Sequence, residues 1–342
     1  MNENKNVLKY EYEVLKVGDA DAILIRHYIN GEPFIILIDA GNASDAAIIK
    51  KHLENYYDSN YIDLAICTHP DSDHKDGFFD LLQDDDIKIE RFWLTDPAQY
   101  LDANDIKRYR NEENATKAVR KIWQKSTDPN LNLIDLALSK CTTVESVTDG
   151  VEHPILPISI VGPSDEYYAE VVKIMVANYG IKTYEDSSKE AYDDAFKIDE
   201  DDIKSVIDSE EDLSPYNASS LIILYEPGDG KRLLFAGDAN TTSLQMMLNK
   251  YKWLRNVDFL KVPHHGSRRN LNTSIIEELS PKNSSISAAG NKKHPSGRLV
   301  YWLAKYGDVY STHICNSYMH YQSATMPKRK GTVNLTPLKR KK

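Results

Sequence analysis

The chain has 342 residues, 27% charged and 41% hydrophobic, the balance of an ordinary globular protein. Its 42 basic and 52 acidic residues leave a formal charge of −10, which argues against indiscriminate binding to nucleic acid. No apolar run reaches the roughly 18 residues of a membrane span, and the first six residues, Met1-Asn-Glu-Asn-Lys-Asn6, lack an apolar signal region.

In chain order, short apolar runs alternate with polar turns. Val17-Gly18-Asp19-Ala20-Asp21 leads into Ala22-Ile-Leu-Ile25. Phe34-Ile-Ile-Leu-Ile38 reads as a buried strand and ends in Asp39-Ala40-Gly41-Asn42. Tyr61-Ile-Asp-Leu-Ala-Ile-Cys67 is a second such strand and runs into His69-Pro70-Asp71-Ser72-Asp73-His74. After this loop, Phe78-Phe79-Asp80-Leu81-Leu82 reads as the first turns of a helix. Residues 89–94 and 158–161 read as further strands. Between them, residues 105–125 read as a helix with seven basic side chains, Tyr109 and Trp123. That pattern suits a phosphate-tracking helix with stacking aromatics, and equally a helix solvated on one face.

Residues 185–212 hold thirteen acidic residues against three lysines, a block that tends to be disordered or loosely helical and repels anions. It reads either as a lid that competes with substrate or as a surface insertion. Lys231-Arg-Leu-Leu-Phe235 then runs into Ala236-Gly237-Asp238, and Val257-Asp-Phe-Leu-Lys-Val262 into Pro263-His264-His265-Gly266-Ser267. His294-Pro295 precedes a helical pattern from Ser296. The last fifteen residues carry seven basic side chains and no acid, which suits salt-sensitive phosphate contact or a solubilising tail. The organisation expected is a single domain over 1–320, with an insertion at about 97–150 and the acidic segment 185–212, followed by a basic tail, 321–342.

Two imidazoles and two carboxylates in one short loop need a partner. Buried unpaired, they would cost several kcal/mol each. Divalent ions provide that partner: imidazole suits zinc and related metals, and carboxylate suits zinc, manganese or magnesium. Three other strand ends carry a carboxylate or a histidine pair, each beside a glycine that lets the backbone approach closely. Four such ends point to one shared site at one edge of the sheets. The three cysteines, Cys67, Cys141 and Cys315, are too far apart for a disulfide framework or a zinc ribbon. Cys67 reads as a buried core thiol, and the cytoplasm is the expected compartment.

The motif series resembles the metallo-β-lactamase superfamily, within it the group of the soluble domain of the DNA-uptake channel protein ComEC. That group has Asp where the superfamily's second loop histidine stands, as Asp71 does here. The opening Val17-Gly18-Asp19-Ala20-Asp21-Ala22 resembles its Val-Gly-Gln-Gly-Asp-Ala stretch, with Asp19-Ala20 in place of Gln-Gly. Asn217-Ala-Ser-Ser220, Phe235-Ala-Gly-Asp238, Val262-Pro-His-His-Gly-Ser267 and Asn291-Lys-Lys-His294-Pro295 complete the series. The resemblance spans roughly residues 8–310 and implies an α/β fold, the αββα sandwich. One fold hosts many chemistries, so it implies less about substrate.

Carried over by position, the resemblance assigns His69 and Asp71 to a first metal ion, Asp73 and His74 to a second, and Asp238 to both. His265 completes the second set, with His264 as the alternative. The superfamily's distant third histidine is missing, and Asn217, a weaker oxygen donor, corresponds best. Asp39 is expected to orient a ligand histidine, with Ser220 and Ser267 in supporting positions. Asp73 or Asp238 would take the proton as water attacks, and His294 would contact a phosphate or protonate the leaving group. Arg268 and Arg269 read as phosphate contacts or as a solvated turn.

The implied cofactors are two divalent ions, zinc or manganese, or else magnesium. The implied function is a metal-dependent phosphodiesterase acting on nucleic acid, DNA foremost, without a membrane partner. Three alternatives stay open. They are a hydrolase of a small substrate (a nucleotide signal or a lactam), an effector of defence or DNA processing activated by a protein partner, and a silent binding protein of the same fold.

Overall fold

The computed structural model describes residues 9–109, 111–178, 198–291, 293–329 and 335–338. Chain alternation builds its sheets. In the run 35–38, Ile36 and Ile38 join the cluster on one face, and Ile35 and Leu37 join the cluster on the other. Strands buried on both faces read as continuous apolar runs, which is why these segments were legible as strands.

The strands in chain order are β1 (Tyr10–Leu15), β2 (Ala22–Ile29), β3 (Glu32–Ala40), β4 (Tyr61–Ile66) and β5 (Lys88–Leu94). They continue with β6 (Gln124–Lys125), β7 (Asp128–Asn132), β8 (Thr143–Ser146), β9 (Ile158–Gly162) and β10 (Ile222–Tyr225). The last are β11 (Leu233–Phe235), β12 (Phe259–Lys261), β13 (Asn283–Ile286), β14 (Asp308–Ser311) and β15 (Tyr318–Gln322). One sheet has the order β15-β1-β2-β3-β4-β5-β8, the other β14-β13-β12-β11-β10-β9, and β6-β7 form a separate hairpin. Pairing is antiparallel from β15 through β3 and parallel from β3 through β8. In the second sheet, β11 to β14 are parallel, while β9 and β10 are antiparallel.

The sheets pack face to face. Ile23, Ile25, Ile36, Ile38, Leu64, Ile66 and Trp93 meet Ile160, Ile223, Tyr225, Leu233, Phe235 and Phe259 between them. The outer face of the first sheet is covered by Ile49, Phe78, Phe79, Leu81 and Ile134. That of the second is covered by Leu244, Met247, Ile275, Ile276, Leu299 and Leu303. The result is four layers, helix-sheet-sheet-helix. Gly77 lets the helix Ser72–Gln83 lie against β3: a Cβ there would collide with the Ala40 carbonyl. Among the described residues no helix is long and apolar enough to cross a membrane.

Three expectations change. The stretch 105–125 is not one helix. It divides into the end of the short helix Ala103–Ile106, the helix Glu112–Val119, a 3-10 turn at Arg120–Trp123 and β6. Asn111 restarts the helix by accepting a hydrogen bond from the Asn114 amide at 2.9 Å. Three of its basic side chains are paired: Arg120 with Asp96, Lys125 with Asp80 and Lys117 with Glu113. Trp123 is buried in the core rather than offered for stacking.

The acidic block is also partly built in. The helix Glu200–Ile207 buries Ile203 and Ile207 against the second sheet's outer layer; residues 185–197 lie outside the described residues. Finally, β15 runs across residue 320, and part of the basic tail is docked. Arg329 pairs with Glu11 and Glu13, and Leu335 and Leu338 pack against the core.

Candidate metal centre

Strand ends and one helix start bring the site together. Asp71 is the N-cap of the helix Ser72–Gln83, so Asp73 and His74 sit in its first turn. The helix therefore begins six residues before Phe78. Carboxylates are favoured there because the first-turn amides and the helix dipole attract negative charge. Asp238 follows β11 and His264-His265 follow β12. Gly237 has φ +49, and a Cβ there would meet Thr68 Oγ1 at 2.9 Å, so glycine lets the two sheets' loops touch.

Four imidazoles share one mode of anchoring. His74 Nδ1 meets Asp39 Oδ2 at 2.8 Å, and His69 Nδ1 meets Thr68 Oγ1 at 3.1 Å. His265 Nδ1 donates to the Ser287 carbonyl at 3.0 Å, and His264 Nδ1 meets Asp212 Oδ2 at 3.0 Å. Fixing Nδ1 turns each Nε2 away from its anchor, the arrangement used to orient metal-binding histidines.

The Nε2 atoms of His69, His74 and His265 meet carboxylates. Asp238 Oδ1 is 3.3 Å from His74 Nε2, and its Oδ2 is 3.9 Å from His69 Nε2. Asp71 Oδ2 is 3.7 Å from His69 Nε2, and Asp73 Oδ2 is 3.8 Å from His74 Nε2 and 3.0 Å from His265 Nε2. One donor atom each from Asp73, His74, Asp238 and His265 lies within 4.8 Å of the others. Donors about 2.0–2.2 Å from one ion stand roughly 3.4 Å apart across a tetrahedral edge, so these spacings fit. Nε2 of His69 and of His74 and Oδ1 of Asn217 are buried without a hydrogen bond. Such atoms are costly unless something else engages them. The donor set suits a divalent cation.

Electrostatics follow the same grouping. Burial alone would raise Asp73 and Asp238, yet neighbouring imidazoles, His74 foremost, hold both below the usual carboxylate range. Burial would lower His74, and Asp238, Asp39 and Asp73 raise it instead. Against burial, Asp238 and Asp212 push His264 up to about 9. Asp212 itself is lowered to about 2: His264 and Asn217 overcome its burial. Burial, with His264 and His265 close by, takes His294 down to about 3.

Of the sequence-derived set, His69, Asp71, Asp73, His74, Asp238 and His265 converge. Asp39 accepts from His74 and from the Thr68 amide and hydroxyl. Ser220 Oγ accepts the Asp238 amide at 3.1 Å. Ser267 Oγ accepts the Arg269 amide at 3.2 Å, so it shapes the turn after the histidine pair. His264 faces Asp212, Asn217 and Asn270. His294 is buried with its ring 5.5 Å from that of His264. Asn291 holds its loop by accepting the Lys293 and His294 amides, and Asp19, where the resembled motif has Gln, accepts the Ala289 amide. Arg268 and Arg269 are pinned to the acidic segment through Glu210, the Val206 carbonyl and the Glu211 carbonyl. Cys67 is a buried thiol raised by burial.

Sequence reading missed Asp212, Thr68, Asn270 and the Asp21–Lys261 pair. Lys261 is wholly buried and donates to Asp21 Oδ2 at 2.6 Å. Asp21 Oδ1 is 4.0 Å from His265 Nδ1. Both residues stood inside quoted motifs, which was the available signal.

The described residues form a helix-sheet-sheet-helix arrangement with the candidate site at the strand ends. No family model matches the chain. ComE operon protein 3 of Bacillus subtilis (strain 168) is 32% identical over 97 residues, 28% of this chain and 12% of that protein. The match thus spans a small part of that relative's length. Among solved structures, the metallo-beta-lactamase fold protein YhfI from Bacillus subtilis is 10% identical with a TM-score of 0.44, covering 92% of this chain and 100% of that one. Igni18, a metallo hydrolase from the hyperthermophilic archaeon Ignicoccus hospitalis KIN4/I, is 12% identical with a TM-score of 0.44, covering 91% and 98%.

Proposed function

We propose that this chain is a metal-dependent hydrolase that cleaves phosphodiester bonds in nucleic acid, DNA foremost. The observation that carries the reading is the Asp238 carboxylate, which presents one oxygen toward His69 and the other toward His74. His69 and Asp71 would hold a first ion, Asp73, His74 and His265 a second, with Asp238 between. Bound ions of this kind supply Lewis acidity and a water of lowered pKa. The chain's own groups do the rest. The Asp73 side chain is 28% exposed, and it would take the proton of the attacking water. His294 stays neutral at pH 7, which suits an N–H donor to a phosphate oxygen better than a proton source for the leaving group. Choosing nucleic acid rests on the ComEC-like motif series.

One observation favours a smaller substrate. Arg268, Arg269, Arg120 and Lys125, four of the cations expected to contact phosphate, are engaged by acidic side chains. A nucleotide signal would need fewer such contacts.

The test is cleavage of labelled single- and double-stranded DNA by metal-stripped protein, with manganese, zinc or magnesium added back. His69→Ala/Asp71→Ala is the control. Metal-dependent cleavage lost in the control is expected. No cleavage with any ion, in protein that holds metal, would overturn the nuclease reading in favour of a small substrate or partner activation.

A further inference from the structure

The acidic segment delivers one residue into the site. Asp212 is buried, and its Oδ2 accepts from Asn217 Nδ2 at 2.7 Å, Asn270 Nδ2 at 3.0 Å and His264 Nδ1 at 3.0 Å. Its Oδ1 accepts the Ser214 amide at 2.9 Å, and its own amide donates to the Arg269 carbonyl at 3.0 Å. The preceding residues are stitched to the same stretch of chain. Asp208 accepts from the Thr273 amide and hydroxyl at 2.8 Å each, and Arg268 donates to the Val206 carbonyl at 3.1 Å. The segment 199–212 and the stretch 264–273 therefore form one unit.

This unit has a consequence for two donor atoms. Asn217 spends its amide nitrogen on Asp212, so Oδ1 is turned away from Asp212. That oxygen is buried without a hydrogen bond. His264 spends Nδ1 on the same carboxylate, so Nε2 is turned to the opposite side of the ring. The His264 amide donates to Asp238 Oδ1 at 3.1 Å, the oxygen that also faces His74, so the residue braces the shared carboxylate. Asp212 stands to His264 as Asp39 stands to His74.

We propose that Asp212 is the positioning residue of the first ion. It aims Asn217 Oδ1 as the donor that replaces the missing histidine beside His69 and Asp71, and it holds His264 against the shared carboxylate. The described part of the acidic segment, 199–212, is then a working part of the site. The inference rests on the two-ion reading above.

Metal titration of the stripped full chain with zinc and with manganese, by calorimetry and by metal analysis, tests it. Wild type should bind two ions. Asp212→Ala should bind one as wild type does and the other about 10–100-fold more weakly, the usual effect of removing such a support. Asp212→Asn, close in shape, should weaken the same ion and keeps the test alive if the alanine variant does not fold. Glu210→Gln, a nearby carboxylate on the same segment, should leave both ions unchanged. Folded Asp212→Ala or Asp212→Asn that binds two ions with wild-type affinity overturns the positioning role alone. Wild type that binds no ion overturns the two-ion reading and this inference with it.

Discussion

Asp39 Oδ2 holds His74 Nδ1 at 2.8 Å, and the same carboxylate accepts the Thr68 amide and hydroxyl, also at 2.8 Å. One buried side chain thus sets the orientation of the His74 imidazole and the path of the strand-end loop that carries His69. Asp39→Ala should weaken the ion proposed at His74 about 10–100-fold. It also strands the Thr68 amide and hydroxyl, at about 1–3 kcal/mol each. Metal titration beside a denaturant curve checks both effects. Unchanged affinity in a destabilised but folded variant would reduce Asp39 to a purely structural role.

A second support is ionic. Lys261 and Asp21 are both wholly buried, joined at 2.6 Å at the back of the site. Removing one partner of such a pair typically costs about 3–5 kcal/mol, because a lone charge stays in the core. Asp21→Ala should lose stability on that scale in urea unfolding. Asp21→Leu with Lys261→Met should recover most of it, since replacing both charges removes the desolvation penalty. Equal losses in the single and double variants would show that the charge is not the issue.

Glu11 and Glu13 lie buried on β1, with Arg26, Arg329, His52 and His320 around them. Burial alone would raise Glu11, but His320, Arg26 and Arg329 hold it below its ordinary value of 4.5. A carboxyl depressed in the folded state adds stability that is fully present above its unfolded pKa. That stability is lost as pH falls through the folded value. Melting temperature should therefore not respond to this group between about pH 6 and 8 and should drop on acidification below 4.5. Glu11→Gln should blunt the acid drop. Arg329→Ala should cost about 3 kcal/mol at neutral pH, the low end for a broken buried pair, because the other partners remain. A neutral-pH melt of Arg329→Ala matching wild type would mean that the tail is not docked in solution.

The legible parts of this protein were those whose function forces a local pattern. Asp71, Asp73 and His74 lie within four residues because the start of one helix presents all three. Asp238 and His265 each follow a buried strand, whose apolar run marks the place. What stayed hidden had no such local signature. Asp212 is one acid among thirteen in its segment, and only the fold decides which of them is buried. The helix starts at Ser72 rather than Phe78, its polar first turn closed by the Asp71 carbonyl, which accepts the His74 and Lys75 amides, and a polar turn carries no hydrophobic period. Arg268 and Arg269 read as phosphate contacts or a solvated turn, whereas the fold pins them to Glu210 and to the Val206 and Glu211 carbonyls.

The shared carboxylate offers the sharpest test of the site. Asp238 is buried, and its side chain faces three imidazoles that the rest of the fold already anchors through Nδ1. Removing it leaves those anchors in place, and Gly237 still permits the turn. Asp238→Ala should therefore keep the fold, read by circular dichroism, while bound metal falls from two ions to one or none. Hydrolysis should be abolished, because neither remaining ligand set retains the oxygen that joins them. Activity persisting in purified Asp238→Ala, with contaminating nucleases excluded, would sink the two-ion assignment and leave a single ion at Asp73, His74 and His265 as the working centre.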